Sequence, residues 1–116
     1  MREVKLDEMV QLVTTALEDM KGNEIIQIDV RGKMDVTDIM IVASGSSDRH
    51  VQALADQVVD CAKKNDMSVL GVEKDRAWVL IDLCDIVVHV MLPETRDFYN
   101  IEKLWQHELD SEQITT

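Results

Sequence analysis

"AWVLIDLCDIVVHVM", residues 77–91, packs two apolar runs into fifteen positions with almost nothing between them. The first run, 77–83, and the second, 85–92, are apolar at both odd and even positions. A half-exposed strand alternates apolar and polar residues, whereas a strand covered on both faces does not. These runs therefore read as central strands of a sheet. With only Cys84 between them, the connection is a tight antiparallel hairpin. Pro93 ends the second run, because it has no N–H to give to a ladder.

Central strands need neighbours. Upstream, "EIIQIDV" (24–30) is rich in β-branched residues and reads as a strand. Arg31-Gly32-Lys33 forms a turn, Met34 and Asp35 extend the loop, and "TDIMIVAS" (37–44) follows as a second strand. So short a connection favours an antiparallel hairpin. "SVLGV" (68–72) adds a fifth, short strand.

Helices fill the gaps. Leu6, Met9, Val10, Val13, Leu17 and Met20 form one apolar stripe, predicting a helix over 5–21 that Lys21-Gly22-Asn23 ends. Val51, Leu54, Ala55, Val58, Val59 and Ala62 form another, predicting a helix over 48–65. Ser46, Ser47 or Asp48 caps it, Lys63 and Lys64 suit its C-terminus, and Asn65-Asp66 ends it. No Glu or Gln follows a Ser cap at the spacing of a full capping box. "ETRDFYNIEKLWQHEL" (94–109) closes the fold as one helix or two, and "DSEQITT" (110–116) reads as a frayed tail.

The order is α-β-β-α-β-β-β-α. It predicts an α/β fold with a mixed five-stranded sheet flanked by helices, and a right-handed crossover where strand, helix and strand succeed one another. At 116 residues the chain has room for a single domain, placed at 1–109.

Twenty-three acidic against twelve basic residues give a net charge of -11. Such a surface repels a phosphate backbone, so free nucleic acid is an unsuitable partner, while a basic protein suits it. Cys61 and Cys84 form no CxxC or zinc-type spacing and read as two buried thiols in a reducing compartment. The opening "MREVKLDEMV" has no apolar signal core and no run reaches membrane-spanning length, so the expected location is cytoplasmic and no membrane partner is expected.

The candidate chemistry is sparse. "SGSS" (44–47) leaves an apolar strand and enters a helix, a place where free N–H groups can hold phosphate. It carries neither GxxxxGK[ST] nor GxGxxG, and reads as a turn plus cap. Ser46, His50 and an Asp can be named as a nucleophile set, but the flanks lack a GxSxG elbow. Asp82 and Asp85 are three apart. In a continuous strand they point to opposite faces, and around a turn both serve the turn. Asp35 and Asp38 read as loop and edge acids. His50, His89 and His107 form no local metal pair, and His89 reads as a hydrogen-bonded core or interface residue. Trp78, Phe98, Tyr99 and Trp105 are the aromatics, a residue class enriched in binding hot spots. The mixed polarity around Tyr99 and Trp105 favours an interface for those two.

Several stretches together resemble one family. They are "DVRGKMDVTDIMIVASGSSDRHVQALAD" (29–56), "LGVE" (70–73), "AWVLIDLCDIVVHVM" (77–91) and "RDFYNIEKLW" (96–105). Their order and spacing are similar to those of the ribosomal silencing factor, or Iojap-like, family over about residues 6–105. The resemblance implies a domain of nucleotidyltransferase-like fold without catalytic activity and without a cofactor or metal. It implies a translational repressor that binds the large ribosomal subunit through its fourteenth protein. There it would block joining of the small subunit when nutrients are scarce. It also implies a homodimer. The implied contact face uses the later half of the sheet and the C-terminal helix, with Trp78, Asp82, Tyr99 and Trp105 as contacts and Asp85, His89 and Lys103 beside them. Two other readings compete: a nucleotidyltransferase-like enzyme using the Gly45-Ser46 turn, and a dimeric assembly module for another complex. The tail beyond Trp105 and the acidic balance are poorly covered by the family pattern, and the family usually has Gly where Cys84 stands. Gly permits positive φ, so the turn geometry is in question there.

Overall fold

The computed structural model describes residues 5–31 and 38–99, with side chains through Arg96. The elements follow the predicted order: α1 (Leu6–Asp19), β1 (Asn23–Asp29), β2 (Ile39–Ser44), α2 (Asp48–Lys64), β3 (Gly71–Lys74), β4 (Trp78–Asp82), β5 (Ile86–Met91) and α3 (Pro93–Tyr99). The predicted helix over 94–109 is described only through Tyr99. Its remainder and the 110–116 tail lie outside the described residues.

One five-stranded sheet has the order β1-β2-β5-β4-β3. β1 and β2 form the predicted antiparallel hairpin, with Ile26 opposite Val42 and Ile28 opposite Met40. β2 and β5 run parallel, Ile39 to Ser44 pairing with Ile86 to Met91. β4 pairs antiparallel with both β5 and β3. The two runs of the 77–91 stretch are thus a central strand and its neighbour, but β4 is not covered on both faces as expected: Val79 and Ile81 are buried, whereas Trp78, Leu80 and Asp82, on the opposite face, are half-buried. The β2–α2–β3 crossover joins strands that run the same way, but β3 lies at the far edge, beyond β5 and β4.

Strand alternation splits the sheet into two faces. On one, Ile39, Ile41, Ala43, Val79, Ile81, Leu83, Ile86, Val88 and Val90 meet Val13 and Leu17 of α1 and Val51, Leu54, Ala55 and Val58 of α2. Both helices lie here because each has its apolar stripe on one side only. On the other face a smaller cluster forms from Ile28, Val30, Met40, Val42 and Met91, with Ile26 and Trp78 packed against it.

Two sequence expectations need correction. The short strand is Gly71–Lys74, not 68–72. Its register is set by β4, through Val72 opposite Ile81 and Glu73 opposite Leu80, rather than by its own apolar run. Cys84 is exposed, and Cys61 is only partly buried. Cys84 sits at the tip of the β4–β5 hairpin, where Leu83 and Ile86 turn inward and leave it outside beside exposed Asp85. Burial and loss of hydration push the Cys61 thiol pKa up.

That hairpin tip also shows how the chain manages without glycine. Cys84 has φ 75°. Asp85 N–H donates to Leu83 O at 3.0 Å, closing a three-residue γ-turn of the strained, positive-φ kind. Asp82 Oδ1 accepts from Cys84 N–H at 2.9 Å, and Leu83 N–H donates to Ile86 O at 2.8 Å. The glycine-type backbone is therefore kept, and its strain is held in place by these bonds.

Candidate functional site

The Gly-Ser corner is tied up internally. Ser47 is the N-cap of α2, its Oγ accepting from His50 N–H at 3.1 Å. Ser46 N–H donates to His50 Nδ1 at 2.8 Å, and His50 Nε2 lies 2.7 Å from Met20 O at the end of α1. The first bond requires Nδ1 to be unprotonated, so Nε2–H is the donor to Met20. Ser46 Oγ does reach His50 Nδ1, at 3.1 Å. However, the Nδ1 lone pair already serves Ser46 N–H, and a backbone carbonyl stands where an orienting carboxylate would be needed. Gly45 is required by close approach: a Cβ there would meet Val51 N at 2.8 Å and Val51 Cγ2 at 2.9 Å. The corner is thus built to join β2, α2 and α1. Among the described residues, no group of His, Cys, Asp and Glu is placed to hold a metal ion.

The face of β4 and β5 opposite α1 and α2 is different in kind. Trp78, Leu80 and Asp82 share it by strand parity, as do Val87 and His89. Trp78 Nε1–H donates to His89 Nδ1 at 3.1 Å, and the two rings pack with centroids 5.7 Å apart at 48°. His89 is 6% exposed, and burial pushes its pKa down to about 4. The neutral ring with a bare Nδ1 is also the form that the Trp78 bond requires. Trp78, Leu80, Asp82 and Val87 are all half-buried. With Glu73 they give an apolar patch with acidic residues at its rim. A groove lined by Glu73, Lys74, Asp75, Trp78 and Leu80 opens beside it.

The predicted contact residues divide accordingly. Trp78, Asp82 and His89 are brought together on this face. Asp82 combines the two roles foreseen for it, facing the patch while holding the hairpin turn. Asp85 is exposed at the turn, its backbone O accepting from Asp38 and Ile39 N–H at 2.9 and 3.1 Å. Tyr99 ends α3, where only the backbone is described, and Lys103 and Trp105 lie outside the described residues, as do Asp35 and His107.

Sequence reasoning missed Arg96 and Ser44. Arg96 is 4% exposed and Ser44 1%. Arg96 Nη1 donates to Ser44 Oγ at 2.9 Å and lies 3.9 Å from Glu24 Oε2. Ser44 ends the predicted strand 37–44 and Arg96 lies in the predicted helix 94–109, and nothing in their spacing announces a bond across 52 positions.

Comparison with known proteins gives these features a context. A family model described as "Ribosomal silencing factor during starvation" matches residues 3–116. A ribosomal silencing factor of Chromobacterium violaceum is 43% identical over 104 residues, covering 88% of this chain and 85% of that one. One of Haemophilus influenzae is 39% identical over 99 residues, covering 84% and 97%. A crystal structure of a Chromobacterium violaceum protein superposes with a TM-score of 0.86 at 43% identity, over 89% of this chain and 88% of that one. The five-stranded architecture and the match along nearly the whole sequence agree, and the chain belongs to the ribosomal silencing factor family.

Proposed function

We propose that this chain is a cytoplasmic, single-domain translational repressor and not an enzyme. It binds the large ribosomal subunit through that subunit's fourteenth protein and blocks joining of the small subunit under nutrient limitation. The observation that carries this reading is the face of β4 and β5 opposite α1 and α2. There a half-buried Trp78 is held by His89 beside Leu80 and Val87, with Asp82 and Glu73 at the rim. An aromatic anchor in an apolar patch is what a hot spot requires, and an acidic rim steers the patch toward a basic partner. A net charge of -11 acts in the same sense over longer range. Trp78, Asp82, Asp85, His89, Tyr99, Lys103 and Trp105 are the proposed contact set. Trp78 and Tyr99 supply area, the acids meet basic groups, and His89 also fixes the Trp78 ring.

The mechanism is occlusion. A body of this size on the joining face needs affinity and position, not chemistry. A second copy of the chain is a further proposed partner. The test is gradient sedimentation of purified large and small subunits with and without the protein. The expected result is co-migration with the large subunit and a smaller joined fraction. A protein left at the top of the gradient with normal joining would refute the proposal.

A further inference from the structure

We infer that the Arg96–Ser44 hydrogen bond is a latch that sets the direction of α3, making Arg96 a positioning residue for the partner-binding face. The role rests on the subunit-binding reading above.

The argument starts from the geometry of a short helix. α3 has seven described residues, Pro93–Tyr99, about 10 Å of helix. Its first residue follows β5 by one position, and that end is fixed. Leu92 N–H donates to Ala77 O at 3.0 Å, and Pro93 stands at the first helical position, where a missing N–H costs nothing. One fixed end does not by itself set the direction of the axis. A second contact, further along and away from the axis, does. Arg96 supplies it: its guanidinium reaches Ser44 Oγ, at the C-terminal end of β2.

The bond is buried at both ends, at 4% and 1% exposure. Arginine is among the residues least often buried, and a cation taken out of water is costly unless its donors are used. Packing alone would be served equally well by an apolar side chain. A directional, charge-assisted bond fixes an orientation, which apolar packing does less sharply. Glu24 adds to the arrangement: it lies where the β1–β2 register shifts, has φ 47°, and brings Oε2 to 3.9 Å from Arg96 Nη1. Two strands are therefore committed to one side chain of α3. Tyr99, a proposed contact, lies one turn beyond Arg96 on the same helix, so an error in helix direction at Arg96 displaces it.

The test uses the full chain with Arg96→Met, which keeps bulk without directed donors, Ser44→Ala, which removes the acceptor, and Arg96→Lys, which keeps charge. Large-subunit affinity is measured beside the urea midpoint and near-ultraviolet dichroism. Amide exchange is followed over residues 93–99. Losing a buried bond to a charged group predicts affinity lower by about tenfold or more for Arg96→Met and Ser44→Ala, with folded spectra retained. Partial recovery is expected in Arg96→Lys, and exchange over 93–99 should be about tenfold faster in the first two variants. A purely structural role would lower the urea midpoint but leave the affinity of the folded protein unchanged, and that result overturns the inference. If the unsubstituted protein itself does not bind the subunit, the functional reading fails. Exchange over 93–99 then decides the latch by itself: unchanged exchange in Arg96→Met and Ser44→Ala overturns it.

Discussion

The two faces of the sheet are made from the same strands and do opposite things with polarity. On the helix-covered face, Val79, Ile81, Ile86, Val88 and Val90 are fully buried in one apolar cluster with α1 and α2. On the other face the same two strands carry Trp78, Asp82 and His89, and the neighbouring strand carries Ser44. Each of these polar groups is given a specific bond: Trp78 to His89, Asp82 to Cys84, Ser44 to Arg96. Among the described residues no buried side-chain nitrogen or oxygen is left without a partner. The covered face contributes stability through area removed from water. The other face gives up some of that area for groups held in fixed orientations, which stability alone does not call for but recognition does.

The sharpest way to break the contrast is to damage the covered face. Ile81→Ala should cost about 4 kcal/mol, as a fully buried truncation that leaves a cavity. Urea unfolding measures the loss, and subunit affinity of the protein that stays folded should not change. A loss near zero would mean that this face is not the core described.

The next effect belongs to His89. Its folded pKa is depressed to about 4 against an ordinary 6.5. The unfolded chain therefore binds the proton first, and stability falls as pH drops from about 6.5 toward 4. The full difference is on the order of 3 kcal/mol. His89→Gln can still accept from Trp78 and does not titrate. Between pH 7 and pH 4 it should lose less stability than the parent by about that amount. Equal losses would show that His89 is not the buried neutral partner of Trp78.

A smaller effect tests the hairpin that joins the two central strands. Cys84→Gly should raise stability by about 1 kcal/mol, since relief of positive-φ strain exceeds the extra freedom Gly gives the unfolded chain. A destabilised variant would mean that the side chain of Cys84 contributes more than its backbone strain costs.

How much of this was legible in the sequence follows the same division. The covered face was readable throughout. Val13 and Leu17, then Leu54, Ala55 and Val58, recur at helical spacing, and the 77–91 stretch is apolar at every inward position. The element order follows from those periods, because burial on one face imposes them. β3 was misplaced because "SVLGV" (68–72) has apolar residues without a partner, whereas the register of Gly71–Lys74 is dictated by β4. Cys84 was read as buried from its apolar neighbours, yet a turn reverses what neighbours imply.

The other face was only half legible. Trp78, Asp82 and His89 were singled out one by one, and strand parity placed Trp78 with Asp82. The Trp78–His89 bond spans 11 positions and the Arg96–Ser44 bond 52, and pairings so distant leave no local period to read. The His50 link from the Gly-Ser corner to Met20 was hidden for the same reason.

The central claim is that the face of β4 and β5 opposite α1 and α2 meets the ribosome. Its most direct test is large-subunit affinity measured side by side for Trp78→Ala, on that face, and Asp60→Ala, exposed on α2. The account predicts a loss of about thirtyfold or more for Trp78→Ala, a hot-spot effect, and no change for Asp60→Ala. Undiminished binding by a folded Trp78→Ala, with loss in Asp60→Ala, would move the interface to the helices and contradict it.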